Sequence, residues 1–359
     1  MSEDNAGREG QLYREPEDAG NRYRAAQLDE METWIAAQQR QSADRRARYF
    51  TPDYADCAAY AASTTSYRQD LADLLGLPSA VLEAQSLLQP AASGEARYEQ
   101  VAADELGTVY RVTIPVAEGL HAYGLFLRPP GAGPFPLVVA QHGGQGTPEL
   151  TAGFFGSANY NDMTRRIVRR GAAVFAPQLL LWEGGRFGPR FDRRQIDTRL
   201  KQLGISIAGL ELYKLRRSLD VLLQRPDLDA ARVGMAGLSY GGFYTLFAAA
   251  LDPRIAVAVS SCYVNDRYAY PWSDWTWPGA GVRFLDAEVC GLICPRPLYL
   301  EGGAADTVFA ANGFLTESAR ARAHYERLGL GERFSAVLFE GGHEFNTGAA
   351  PLDFLFSHL

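Results

Sequence analysis

Cysteine is scarce. The 359-residue chain has four, Cys57, Cys262, Cys290 and Cys294, irregularly spaced. So few in so long a chain do not make a disulfide framework. Cys290 and Cys294 have helical spacing, but no histidine lies near them in sequence to complete a zinc site. They read as buried thiols, and neither a metal nor another cofactor is expected. Long apolar runs are also missing. None approaches the roughly 20 residues that cross a bilayer, so no membrane partner is expected. A basic excess is absent too. A net charge of −7 leaves little to neutralise phosphates, which argues against nucleic acid as a partner. The amino-terminal stretch MSEDNAGREGQLYREPED is acidic and polar. It lacks the basic start and apolar core of a signal peptide, so the expected location is cytoplasmic.

What remains is an ordinary globular composition, 47% hydrophobic and 21% charged. Residues 1–20 read as a disordered tail, charged and without periodicity. Residues 21–97 read as a helical amino-terminal extension. Leu71, Leu74 and Leu75 share a face there, and Gly76-Leu77-Pro78 is a stop. From residue 98 to 359 the pattern is that of an α/β domain. Short runs such as Val109–Ile114, Tyr123–Leu127 and Leu137–Gln141 alternate with Gly and Pro clusters and predict strands. Strands at Ala172–Ala176, Arg232–Ala236, Ile255–Ser260, Pro297–Leu300 and Phe334–Phe339 then alternate with helices. The steps of four and three in Ala208, Leu212, Leu215, Leu219 and Leu222 predict one of these helices. Antiparallel strands first and βαβ units later imply a mixed, mostly parallel sheet with helices on both faces. An aromatic insertion occupies about 263–285.

Residues 234–242 read GMAGLSYGG, between a predicted strand and a predicted helix. Gly237-Leu238-Ser239-Tyr240-Gly241 fits G-x-S-x-G, a nucleophile elbow in which glycines let a strained turn close around an exposed serine. A serine hydroxyl needs a base. Of the five histidines, His121 opens a strand, His324 reads as a helix surface residue, and His358 is next to the carboxyl terminus. His142 precedes the serine and reads as a loop-ordering residue. His343, in the loop FEGGHEF after a strand, is the candidate base. Asp306, in the loop after Pro297–Leu300, is the candidate acid in the order Ser, Asp, His. Glu301 is its nearest rival, with Asp266 and Asp274 weaker ones. The loop QHGGQG at 141–146 is read as supplying one oxyanion-hole donor, around Gly143 and Gly144, beside the backbone N–H of Tyr240.

These motifs, with the lead-in closing on LLGLP and the segments SSCYVNDR, FLDAEV and PRPLYLEGGAAD, resemble the α/β-hydrolase family over residues 45 to the end. The likeness is to its dienelactone-hydrolase-like and acetylxylan-esterase-like branch. The resemblance implies an eight-stranded sheet and a Ser239–His343–Asp306 triad. The nucleophile position holds serine, not the cysteine of a dienelactone hydrolase proper, which disfavours that activity. The implied reaction is hydrolysis of a small acyl or acetyl ester through an acyl-enzyme. A peptidase or thioesterase with the same triad stays open, as does a non-catalytic binding protein on this fold.

Three of the five tryptophans, Trp272, Trp275 and Trp277, cluster in the insertion. Their rings could stack on a sugar or aromatic acyl group, pack the insertion onto the sheet, or meet a second subunit of a homo-oligomer. Arg186 and Arg190, in a second rim loop, could meet a carboxylate or stay solvated.

Overall fold

A computed structural model describes residues 13–77, 88 and 95–359. Its strands are β1 (Arg97–Asp104), β2 (Gly107–Ala117), β3 (Leu120–Arg128), β4 (Phe135–Gln141), β5 (Ala173–Pro177), β6 (Leu228–Leu238), β7 (Val257–Ser261), β8 (Leu298–Gly303) and β9 (Phe334–Phe339). They form one sheet in the order β1-β2-β3-β5-β4-β6-β7-β8-β9. The first three are an antiparallel meander, and β3 joins β5 antiparallel. From β5 to β9 every pairing is parallel. The eight expected strands are present, and the sheet has a ninth, β1. Its sequence RYEQVAAD is exposed along most of its length, so it carries almost no apolar alternation to read.

The helices are α1 (Asn21–Tyr49), α2 (Cys57–Ser63), α3 (Thr65–Leu75), α4 (Pro148–Thr151), α5 (Met163–Val168), α6 (Arg193–Gln202), α7 (Ile207–Leu222), α8 (Tyr240–Leu251), α9 (Asp286–Ile293), α10 (Ala311–Arg327) and α11 (Ala350–Ser357). The apolar ladder of α7 packs with Phe243 and Phe247 of α8 on one face of the sheet. Met163 and Ile167 of α5 and Leu352 and Leu355 of α11 cover the other. Ser206 caps α7 by accepting the Gly209 N–H at 3.0 Å.

The expected tail lies largely outside the described residues, and residues 13–19 are exposed. In the extension, α3 stops at Gly76, whose φ of 73° is left-handed, and Pro78 lies outside the described residues. The extension shares the core of the sheet. Tyr60, Leu71 and Leu75 are buried in the same cluster as α7 and α8, and the Tyr60 hydroxyl donates to the Gly291 carbonyl at 2.8 Å.

Chain direction positions the site. From β4 the chain crosses to β5 on one side, and β6 lies on the other side of β4. The loops leaving β4 and β6 therefore diverge to opposite faces, and a crevice opens beyond their carboxyl ends.

Candidate active site

Ser239 stands between β6 and α8 with φ 60° and ψ −122°, a conformation a side chain rarely adopts. Its N–H donates to the Ser261 carbonyl at 2.9 Å, and its own carbonyl accepts from the Phe243 N–H at 3.0 Å. The glycines are required by close approach. A Cβ on Gly237 would strike the Gly241 backbone, and one on Gly241 would strike the Gln141 carbonyl at the end of β4.

His343 follows β9, and its Nδ1 donates to Asp306 Oδ2 at 2.8 Å. Asp306 Oδ1 accepts the N–H groups of Val308 at 2.7 Å and Phe309 at 3.1 Å. Burial raises this carboxyl, but its contacts with His343 and the two N–H groups outweigh burial and hold it below the ordinary range. Glu301 makes no such contact. It is buried, accepts the Asn346 N–H at 3.1 Å, and burial pushes its carboxyl up to about 7. Asp266 accepts the Tyr268 N–H instead. Ser239 Oγ and His343 are not hydrogen-bonded here. The Ser261-Cys262 segment links their surroundings, since Cys262 Sγ lies within 4.8 Å of donor atoms of both Asp306 and His343. This Cys-Asp-His trio was not foreseen from the sequence. Burial pushes the thiol up to about 12, which keeps it protonated at neutral pH.

The expected oxyanion donors divide. The Gly143 N–H donates to the Tyr160 hydroxyl at 2.9 Å, which leaves Gly144 as the loop's candidate donor. Gly144 lies against the Tyr240 ring. Among the described residues, neither its N–H nor that of Tyr240, in the first turn of α8, has a partner. His142 is fully buried. Its Nε2 accepts the Leu179 N–H at 3.0 Å, so Nδ1 carries the proton and donates to the Gly143 carbonyl at 2.9 Å. Burial lowers it to about 4, so it is a neutral brace for the QHGGQG loop. His324, expected on a surface, is half-buried, with Nδ1 2.7 Å from the Tyr54 hydroxyl and its ring against Phe50, both in the segment between α1 and α2.

The three tryptophans play different parts. Trp277 packs into the core against Phe243 and Phe247, so it cannot reach a substrate. Trp275 is 3% exposed and stacks on Trp272 at 4.4 Å and on Tyr240 at 4.9 Å. Trp272 is the half-buried outer ring. Phe309 joins this wall to His343, with centroids 6.2 Å from Trp272 and 5.6 Å from the imidazole. Arg186 is exposed, pairs with Glu183 at 3.3 Å and lies over Phe187, touching none of these groups. Arg190 is exposed as well.

A buried polar cluster behind Tyr240 was missed by sequence reasoning. The Tyr240 hydroxyl donates to Asp274 Oδ2 at 2.9 Å. Arg193 Nε donates to the same oxygen at 2.7 Å, and Arg193 reaches both oxygens of Glu211, at 3.1 and 2.9 Å. One signal was available. Glu211 interrupts the apolar stripe of α7, lying three residues after Ala208 and four before Leu215.

No family model matches the chain. It is 28% identical over 228 residues to YtaP of Bacillus subtilis (strain 168), a protein named as a hydrolase, covering 59% of this chain and 74% of the relative. Among solved structures, Methylesterase BT1017 is similar with a TM-score of 0.65 at 17% identity, covering 90% of this chain and 67% of that one. The glucuronoyl esterase from Solibacter usitatus gives 0.58 at 16%, covering 86% and 98%. The acetyl xylan esterase from Paenibacillus sp. R4 gives 0.55 at 18%, covering 82% and 95%. At such identities these likenesses concern architecture, and the architecture they share with this chain is the α/β-hydrolase fold.

Proposed function

We propose that the chain is a serine hydrolase of carboxylic esters. The observation that carries this reading is the His343–Asp306 pair, which follows β8 and β9 at the same carboxyl ends of the parallel strands at which Ser239 follows β6 on its strained turn. In this reading His343 Nε2 removes the proton as Ser239 Oγ attacks the ester carbonyl. Asp306 fixes the tautomer and stabilises the imidazolium. The N–H groups of Gly144 and Tyr240 meet the developing oxyanion. The alcohol leaves with the proton from His343, and water then cleaves the acyl-enzyme by the same base. The names of the relatives support an ester bond, and the wall of Trp272, Tyr240 and Phe309 suits a flat or ring-bearing substrate group. A thioester or peptide substrate would use the same groups.

The test is labelling with a fluorophosphonate probe beside hydrolysis of p-nitrophenyl acetate. The wild-type protein is expected to label and turn over, with EDTA making no difference. Ser239→Ala is expected to lose the label and about a millionfold in turnover, with its melting temperature retained. Equal activity in the mutant, or activity that chelation removes and zinc restores, excludes this reading. An unlabelled, inactive wild-type protein would favour the binding-protein reading.

A further inference from the structure

We infer that the buried Arg193–Glu211 pair is a shared anchor for both oxyanion donors, with Asp274 and the Tyr240 hydroxyl as positioning residues. The inference rests on the esterase reading above. One arm runs from Arg193 through Asp274 to the Tyr240 hydroxyl. Asp274 accepts from Arg193 Nε and from Tyr240 at once, and its side chain is 3% exposed. Tyr240 is also gripped on its ring, stacked on Trp275 at 4.9 Å and on Trp272 at 5.8 Å. Its backbone N–H belongs to the residue directly after Ser239, so fixing the side chain fixes the donor. The second arm runs from Glu211 to the other donor. Glu211 Oε1 accepts the Leu180 N–H at 2.7 Å, and the neighbouring Leu179 N–H donates to His142, whose Nδ1 holds the Gly143 carbonyl. That carbonyl begins the peptide bond whose N–H is the Gly144 donor.

The anchor is itself over-determined. Arg193 bonds to the Leu180 carbonyl at 3.0 Å and to the Tyr244 hydroxyl at 2.8 Å, and Tyr244 also bonds to Glu211. Burial lowers Arg193, but Glu211 and Asp274 outweigh it, so the guanidinium stays charged. Burial likewise raises Glu211 and Arg193 outweighs it, so the carboxylate stays charged. A buried ion pair of this kind adds little net stability over apolar residues of the same volume. Rigid donors aimed at a developing charge are what it supplies here, and one such donor is worth about 10²–10³ in turnover.

The test compares Tyr240→Phe, Asp274→Ala, Asp274→Asn and Glu211→Gln with wild type. The readouts are kcat and KM for p-nitrophenyl acetate, affinity for phenylboronic acid and melting temperature. Phenylboronic acid forms a tetrahedral adduct on an active serine and so reports on the oxyanion hole. Tyr240→Phe and Asp274→Ala are each expected to lower kcat about tenfold, with KM within about twofold and boronate affinity falling in step with kcat. Asp274→Asn keeps an acceptor for Tyr240 and is expected to recover most of the loss. Adding Asp274→Ala to Tyr240→Phe is expected to cost little more, since both cut one link. Glu211→Gln is expected to lower kcat with KM held. An unchanged kcat in Glu211→Gln beside a lowered one in Tyr240→Phe overturns the shared anchor. Should Asp274→Ala not fold, Tyr240→Phe decides, because it removes one hydroxyl and keeps the ring. A wild-type protein that labels and turns over, with Tyr240→Phe matching it in kcat and boronate affinity, overturns the inference alone. A wild-type protein that does neither overturns the esterase reading and this inference with it.

Discussion

Glu301 lies within β8 and Asp306 follows it five residues on, and their surroundings give them opposite titration behaviour. Asp306 has an imidazole and two N–H groups around it, whereas Glu301 accepts the Asn346 N–H and its burial outweighs the groups around it. Asp306→Asn is expected to lower turnover about ten-thousandfold by favouring the wrong imidazole tautomer. Glu301→Gln is expected to keep activity and change stability. A carboxyl at about 7 in the folded chain and 4.5 as the reference holds its proton better when folded. Stability from this group is therefore full below 4.5, falls as pH rises from there to about 7, and is flat beyond. The glutamine variant escapes that loss. It is expected to gain about 3 kcal/mol over wild type at pH 8 and about 1 kcal/mol at pH 5 in urea unfolding. A gain independent of pH would mean that Glu301 is ionised throughout. Position at or just after the end of a predicted strand made both carboxylates visible in the sequence. Their environments come from Asn346, Val308 and His343 and are tertiary.

Among the elements, the insertion between β7 and α9 shows how one short sequence serves two roles. Trp272 and Trp277 are five residues apart, yet one lines the aromatic wall and the other is core. Trp277→Ala is expected to cost about 3–5 kcal/mol of stability and leave KM unmoved. Trp272→Ala is expected to raise KM for p-nitrophenyl esters about two- to tenfold, the worth of one aromatic contact, with stability little changed. The reverse pattern in paired urea-unfolding and kinetic measurements would assign the substrate wall to the wrong ring. Composition alone showed an aromatic cluster. Which ring faces the site depends on how the insertion lies across Phe243 and Phe247 of α8.

At the scale of the whole molecule, the amino-terminal helices share the core of the sheet. α1 is exposed through Ile35, but farther along Ser42 and Arg46 are buried, and Arg46 donates to the Gly281 carbonyl at 2.6 Å. A chain starting at residue 36 is expected to melt as the full chain does. One starting at residue 78 loses Tyr60, Leu71 and Leu75 from the core. At about 1.5–3 kcal/mol for each, that is about 5–9 kcal/mol, comparable with the whole stability of a typical domain. Such a chain is expected to be unfolded or aggregated by circular dichroism and light scattering, and a cooperative melt near the wild-type temperature would show the extension to be dispensable. The sequence by itself determined the mostly parallel sheet, the elbow at Ser239 and the loops bearing Asp306 and His343. These depend on periodicity and on glycines within a few residues of the group they serve, so the pattern is local. Tertiary structure decided the rest: the exposed strand β1, the engaged N–H of Gly143, the contact of His324 with Tyr54, and the link from Arg193 to Asp274. Each of these joins residues distant in the chain or depends on what covers a surface. Arg193 and Asp274, for example, are 81 positions apart, and no local pattern of apolar or turn residues encodes such a pairing.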